Sequence, residues 1–567
     1  MRQTVLLGLT AVLSLPAMTY NVGPAQQYTT LGAVPWFTLA AGDTVNIYYK
    51  SGCYAEKFLI STQGTSWMTP ITVQGISDPA TGKQPCITGL NAIQSPTSHD
   101  RWSGAAKAQY SQSLYVIGIS LQANASYGPA YVVLNNLEIT GAAAGATYTA
   151  DDGTQQRYGD GVAGIRILNG NHIRIQNCYI HNIAGSGIFG KPNGSYPGTM
   201  ADIQLMYNHM SQNGAAGNYL FHNSYIEADR ALYIGNLYEP LVTGAPGSDL
   251  KDRSAGTVIE YNRFNGAVAR FLDLVEPQDG WAIFGSRPYY GYDFVFGNIF
   301  YTASTDTNFS QAGTPIHYGG DSGFVSTYRN HTLSFYDNTF VYVANLTESW
   351  KRSLFQPELS TDTLDIRNNV FLLVPRTTGG GTPEIDWSGN NNGAPTGTFQ
   401  FGINWVSPGW YMAFTGWTPF AGTYFGTSNL ISPADNHSPL SNPTAGDFSL
   451  AAGSVAIGAA GPLGALITSN PEGGNYTPTQ QYKADQRTVS RSSLADLGAL
   501  GGSSAPIACD LNGDGAVNGL DIQIAVSQTS GASPCSSAAL VQTAVCNIVA
   551  VQRVINAANG LLCRLGQ

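Results

Sequence analysis

"HIRIQNCYI", residues 172–180, and "LSFYDNTFVYV", residues 333–343, each carry alternating apolar residues into an asparagine and reach an aromatic residue two positions later. Alternation of this kind is the period of a strand with one buried face. The same pattern, with an aromatic residue or Met after the Asn, begins at Asn177, Asn208, Asn236, Asn262, Asn298, Asn338 and Asn369, at intervals of 31, 28, 26, 36, 40 and 31 residues. Each unit is too short to be a domain and cannot bury its own apolar face, so the units must stack. "GIRIL" at 164 and "GIFGK" at 187 recur after 23 residues, the length of one short coil of a parallel β-helix. Longer intervals then place extra residues in loops on one side, where binding faces are usually built. An asparagine at a fixed corner of each coil can hydrogen-bond to backbone at the bend and to the asparagine one coil away, which is a structural role.

Composition agrees. A chain of 567 residues exceeds the size of one compact core. With 66 Gly, 31 Tyr and 11% charged residues it suits a β-rich scaffold with many turns and few helices. A net charge of -10 with 26 Lys plus Arg argues against a nucleic-acid partner, which needs a concentrated basic face. "MRQTVLLGLTAVLSLPAM" (1–18) reads as a secretory signal peptide, and no other stretch approaches the length of a membrane span. Cys53 and Cys86 are a plausible bridge, and Cys178, in a strand-like run, is expected to be a buried free thiol. Cys509, Cys535, Cys546 and Cys563 crowd the last 59 residues, as in a small disulfide-stapled domain of an oxidising compartment, with three pairings open.

"AGDTVNIYYKSGCYAEKFLI" near the start, the asparagine corners, and the closing "DFSLAAGSVAIGAA" and "DLGAL" resemble secreted right-handed parallel β-helix proteins of the pectate-lyase-like superfamily, over residues 22–500. That fold hosts lyases, hydrolases, epimerases and adhesive proteins, so chemistry must be read from a site. Residues 376–430 lose the repeat and read as a long loop or irregular final coils, and 501–508 as a flexible linker.

In a chain so poor in charge, "GSDLKDRSAG" (247–256) is conspicuous. Alternation sends Asp249, Lys251 and Arg253 outward and Leu250 inward. In "ARFLDLVE" (269–276) it sends Leu272 and Leu274 inward, Asp273 outward and Arg270 inward. Lys251 and Asp273 are 22 residues apart, one short coil, which stacks them on adjacent strands about 5 Å apart. His222, Tyr225 or Glu227 from the preceding strand and His317 from "PIHYGGDSG" can join them.

Such a strip fits elimination across a uronic-acid linkage, in which a cation neutralises the sugar carboxylate and a base removes the adjacent proton. It also fits hydrolysis by two carboxyl groups, for which Asp273, Glu276 and Asp249 are candidates, and a solvated salt-bridge strip. "SDLKDRS" and the Arg270 strand resemble the Lys and Arg strands of the chondroitinase B and alginate lyase family. By that likeness Lys251 is the base and Arg270 the acid, although no counterpart of that family's calcium carboxylates appears.

"CDLNGDGAVNGLDIQIAV" (509–526) sets oxygen ligands at loop positions 1, 3, 5, 9 and 12 as Asp510, Asn512, Asp514, Asn518 and Asp521, with the Ala516 carbonyl at position 7 and Gly515 at the sharp turn. The pattern wraps one Ca2+. A short helix follows, with Ile522, Ala525 and Val526 on one face. The segment resembles the first half of a dockerin module, giving a small α-helical domain over 509–567. Twenty-nine residues on, Val551, Val554 and Ile555 repeat the helix, while Ala539, Val541, Thr543 and Ala550 cannot hold calcium and only Asn547 remains. The resemblance implies a cohesin-like partner, with Gly519, Leu520, Ile548 and Val549 at the contacting positions.

The expectation is therefore an all-β right-handed parallel β-helix followed by a dockerin-like calcium domain, secreted or held at the cell surface and acting on a polysaccharide. A lyase with Lys251, Arg253 and Asp273 as catalytic residues leads, with His222, Tyr225, Arg270, Glu276 and His317 binding substrate. A non-catalytic glycan-binding or adhesive protein and a glycoside hydrolase are the alternatives.

Overall fold

The computed structural model describes residues 16–558, apart from 97–111, 121–128, 194–199, 267–268, 304–314, 346–351, 377–384, 389–396, 408–409, 412–437, 452–453, 486, 502–508, 510, 513–516, 536–539 and 541–544. Most of the proposed signal segment and of the linker lies outside the described residues. The chain divides into two compact units, one of residues 1–258, 266–291 and 306–329, the other of 259–265, 292–305 and 330–567.

In the first unit each coil gives one strand to each of three parallel sheets. Ala163–Leu168, Asn171–Gln176 and Tyr179–His181 are three successive examples. Ile173 pairs with Val132 on one side and Ile203 on the other, and Ile180 with Ile139 and Met210. Like therefore stacks on like, and the inward rows form a continuous apolar interior. The second sheet runs through Ala163–Leu168, Ser186–Lys191, Ser224–Ile226, Ser248–Asp252, Arg270–Leu274 and Ile316–Tyr318, every neighbour parallel. Leu250 sits over Leu272 and Leu272 over Ile316, all fully buried. Truncating such a leucine to alanine costs about 2–5 kcal/mol. This is a parallel β-helix.

The second unit repeats the arrangement, with Phe300, Phe340, Phe371 and Val406 in one inward row. Strands Ile385–Ser388, Thr398–Phe401 and Trp405–Val406 show that the described part of 376–430 continues the coils. The hairpins Leu440–Asn442/Asp447–Leu450 and Gln480–Lys483/Arg487–Ser490 follow. Phe448, Leu450, Tyr482 and Leu497 from this region cover Ile299, Val341, Val370 and Leu372.

The asparagine corners form ladders. The Oδ1 of Asn236 accepts the backbone N–H of Asn208 at 2.9 Å, and in the second unit Asn298, Asn338, Asn369 and Asn404 each do the same for the asparagine one coil before. Asn404 is a rung the repeat pattern missed. Asn177 is off by one: Cys178 holds the ladder place, its N–H bonded to Asn208, while Asn177 bonds Asn135. The residue before most rungs has positive φ, as at Asn177, Tyr207, Tyr261, Asp337 and Asn368. One left-handed residue turns the chain from one sheet to the next. At Gly235 and Gly297 a Cβ would lie 2.4 and 2.5 Å from the ring of Tyr207 and Tyr261 one coil back, so only glycine fits under the tyrosine.

Cys53 is bridged to Cys86 and Cys535 to Cys546, while Cys178 is a buried thiol that burial pushes up to about 12; Cys563 lies outside the described residues. Near the C-terminus, helices Gly519–Thr529 and Ile548–Ala558 pack Ala525 against Ala550, Val551 and Val554, with Ile522 and Ile555 alongside. Val526, expected on that face, is 49% exposed.

Candidate functional site

The outward rows of the second sheet build the site. Arg166 pairs in register with Phe189, Phe189 with Tyr225, Tyr225 with Lys251, Lys251 with Asp273, and Asp273 with His317. Six side chains thus form one column along six strands, about 24 Å at the usual strand spacing. The register expected from the 22-residue interval is present: Lys251 Nζ lies 2.5 Å from Asp273 Oδ2.

The alternation used to orient the neighbours breaks one residue earlier. The N–H groups of Phe271 and Leu272 both donate to the Pro315 carbonyl, at 2.9 and 3.1 Å, and both side chains are fully buried. The register runs from Ser248–Arg270 to Leu250–Leu272, stepping over Asp249 and Phe271. Such a bulge resets which residues face out. Arg270, expected inward, therefore faces out, donating to Asp273 Oδ1 at 2.9 Å and contacting His317. Asp249, expected outward, goes into the interior, where its Oδ1 accepts from Asn223 Nδ2 at 2.8 Å. Burial raises its carboxyl well above the usual range, which removes it from the charged strip.

A cleft of about 600 Å³ opens over the column and is lined by Arg166, Phe189, Tyr225 and Lys251 together with Lys191, His222, Arg253, Asp279 and Asp321. Phe189 and Tyr225 stack at 4.8 Å with planes 18° apart. Asp321 joins the two central cations: it lies 2.7 Å from Lys251 Nζ and 2.7 and 2.8 Å from Arg253 Nη2. Arg253 also donates to the Glu276 carbonyl at 2.7 Å. Lys191 pairs with Asp279 at 2.8 Å.

Asp273, His317, Arg270 and Glu276 do not line this cleft. Asp273 stands behind Lys251, 4% exposed. Burial acts to raise its carboxyl, but Lys251, Arg270 and His317 outweigh it and hold it well below the usual range. Glu276 is a positioning group: its carboxylate accepts the N–H groups of Asp321 and Ser322 at 3.1 and 2.9 Å and so orients the loop that carries Asp321. That loop is anchored further on by Arg329, fully buried, which bonds Val275 and Asp252. Glu227 accepts the N–H groups of Gln278 and Gly280 and fixes the loop of Asp279; burial pushes its carboxyl up to about 7. His222 accepts the Ser248 N–H on Nδ1 at 2.9 Å, and burial with the charge of Lys251 lowers it to about 3. With Nδ1 accepting, the neutral imidazole carries its proton on Nε2.

Sequence reasoning missed Asp321, Lys191, Asp279 and the Arg166–Phe189 end of the column. The 23-residue recurrence of "GIRIL" and "GIFGK" was the available signal for Arg166 and Phe189, since it puts them at one position of successive coils. Asp321 sits in a loop, where no periodicity points to it.

No protein-family model matches the chain, and no curated protein matches it. Among solved structures it is similar to a pectate lyase (13% identity, 86% of this chain and 97% of that chain, TM-score 0.39). It is also similar to an alginate lyase from Paenibacillus sp. strain FPU-7 (13%, 61% and 91%, 0.35) and to a lacto-N-biosidase from Eubacterium ramulus (13%, 68% and 68%, 0.31). Likenesses of this size assign no activity to this chain.

Proposed function

We propose that the chain is a carbohydrate-active β-helix protein whose cleft takes an acidic polysaccharide and cleaves it by β-elimination. The observation that carries this reading is the set of four cations, Arg166, Lys191, Lys251 and Arg253, around the stacked Phe189–Tyr225 pair in one cleft. Cations select carboxylate-bearing sugars, and aromatic faces take sugar rings.

In this reading the Arg253 guanidinium takes over the carboxylate of the reacting sugar from Asp321. Lys251 Nζ takes the proton from the carbon beside that carboxylate. The electron pair forms the carbon–carbon double bond as the glycosidic bond breaks, and the leaving oxygen receives the proton of the Tyr225 hydroxyl, which burial keeps protonated. Incubation with uronic-acid polymers tests it, because elimination creates an unsaturated product that absorbs in the ultraviolet and hydrolysis does not.

One observation favours a second reading, glycan binding without catalysis: Lys251 lies between two carboxylates, Asp273 and Asp321.

For the C-terminal segment we propose one structural Ca2+. Asp521 is fully buried, its Oδ1 accepting the N–H groups of Leu511 and Asn512 and its Oδ2 that of Asn518, which ties the two ends of the loop together. Asn512, Asn518 and Asp521 would hold the ion with Asp510, Asp514 and the Ala516 carbonyl, which lie outside the described residues; the ion would supply folding energy rather than chemistry. Leu520, Ile548 and Val549 are exposed apolar residues at the positions where a cohesin-like partner is expected, which supports an anchoring role. The disulfides support placement of the protein outside the cell.

A further inference from the structure

Three of the four cations in the cleft are paired with carboxylates of the chain: Lys191 with Asp279, Lys251 with Asp273 and Asp321, and Arg253 with Asp321 and Glu276. Arg166 is different. Among the described residues no carboxylate pairs with it. Its Nη1 makes one long bond, 3.3 Å, to the Gly161 carbonyl, and its Nε is buried without any hydrogen-bond partner. Its guanidinium lies 4.7 Å from the centroid of the Phe189 ring.

An arginine kept for structure looks otherwise in this same unit. Arg329 bonds the Val275 carbonyl through Nε, the Thr257 hydroxyl through Nη1, and the Asp252 carbonyl and carboxylate through Nη2. A half-buried guanidinium lacking a counter-ion has given up hydration without recovering it, and the fold keeps it planar and oriented on an aromatic face. What recovers the loss is an anion that enters the cleft.

Resting on the proposed function, we infer that Arg166 is a substrate-binding subsite for the carboxylate of a second, non-reacting acidic sugar. Three strand steps separate it from Lys251, about 14 Å along the column. Phe189 and Tyr225 fill the interval and carry the sugar rings between the two charged points. The chain therefore reads a run of acidic residues, not one acidic residue in a neutral polymer. Short oligomers that reach only the Lys251 end are bound weakly.

The test is calorimetric titration of the full chain and its Arg166→Gln and Arg166→Lys variants with uronate pentasaccharides (galacturonate, mannuronate and guluronate) and uronate disaccharides. Circular dichroism and thermal melting establish that the variants are folded, and Phe189→Leu, which leaves Arg166 in place, serves as the second probe of the same end of the cleft. The inference expects a pentasaccharide to bind the intact protein and to bind Arg166→Gln about ten- to a hundredfold more weakly, the range for losing a charge-assisted pair. Arg166→Lys falls between, since an ammonium keeps the charge without the planar fork, and disaccharide binding is unchanged by either substitution. Equal pentasaccharide binding by intact and Arg166→Gln protein overturns the subsite alone. Absence of binding to every uronate by the intact protein overturns the proposed function and the subsite with it.

Discussion

Asp321 Oδ2 lies 2.7 Å from Lys251 Nζ, joining residues 70 apart in sequence, and the same carboxylate grips Arg253. The loop thus puts its own carboxylate against the two cations that the proposed reaction assigns to a sugar carboxylate and to proton transfer. An entering acidic glycan must displace it. Asp321→Asn should therefore bind uronate oligomers several-fold more tightly than the intact protein, with the gain diminishing as salt is added. Titration at two ionic strengths checks this; weaker binding would show that Asp321 helps to bind substrate.

Lys251→Ala is expected to lower turnover of a uronic-acid polymer by about 10²–10⁴-fold, the usual contribution of a proton-transfer group. Lys251→Arg keeps the charge between Asp273 and Asp321 but provides no usable base, so it should fold and bind yet stay equally slow. Recovery of turnover in Lys251→Arg would make position 251 an electrostatic anchor only. Asp273 keeps Arg270 and His317 as partners in both variants, so the β-helix should survive.

The pairing of Lys251 with Asp273 was legible in the sequence because a 22-residue interval in a stacked repeat leaves little choice of register. The orientation of Asp249 and Arg270 was not. Alternation assumes an unbroken strand, and the bulge at Phe271 and Leu272 sends two consecutive side chains inward. Asn177 misled for a related reason: Asn suits the left-handed turn as well as the ladder, and in that coil it takes the turn. The loops of Asp279 and Asp321 follow no period at all. They are placed by Glu227 and Glu276, buried carboxylates that collect loop N–H groups.

Glu227 gives the cleft a pH dependence. Its carboxyl is raised by burial from an ordinary 4.5 to about 7, so the folded chain holds a proton that the unfolded chain releases first. Its contribution is fully present below pH 4.5 and is lost as pH rises to about 7, by up to about 3 kcal/mol. Glu227→Gln should remove that loss. Melting temperatures at pH 5 and pH 8 should differ less in the variant, and it should be the more stable of the two at pH 8. An identical fall in both proteins would assign the effect to other groups.

The C-terminal segment should bind one calcium ion per chain. Asp521→Ala should abolish that binding, Asn512→Ala should weaken it, and Asn547→Ala should leave it intact. Titration of the full chain with calcium reads the stoichiometry, and hydrogen exchange with and without chelator reads the consequence: loss of protection in helices 519–529 and 548–558 with none in the β-helix. Two comparable sites, or none, would contradict the reading of the loop.

The central claim, an acidic glycan cleaved by elimination between Lys251, Arg253 and Tyr225, is tested most directly by ultraviolet absorbance during incubation of the intact protein with uronic-acid polymers and with the same polymers after reduction of their carboxyl groups. The account predicts that absorbance rises with the native polymers, stays flat with the reduced ones, and stays flat with Lys251→Ala on either. New reducing ends without absorbance, or absorbance that persists on reduced polymer, would contradict it.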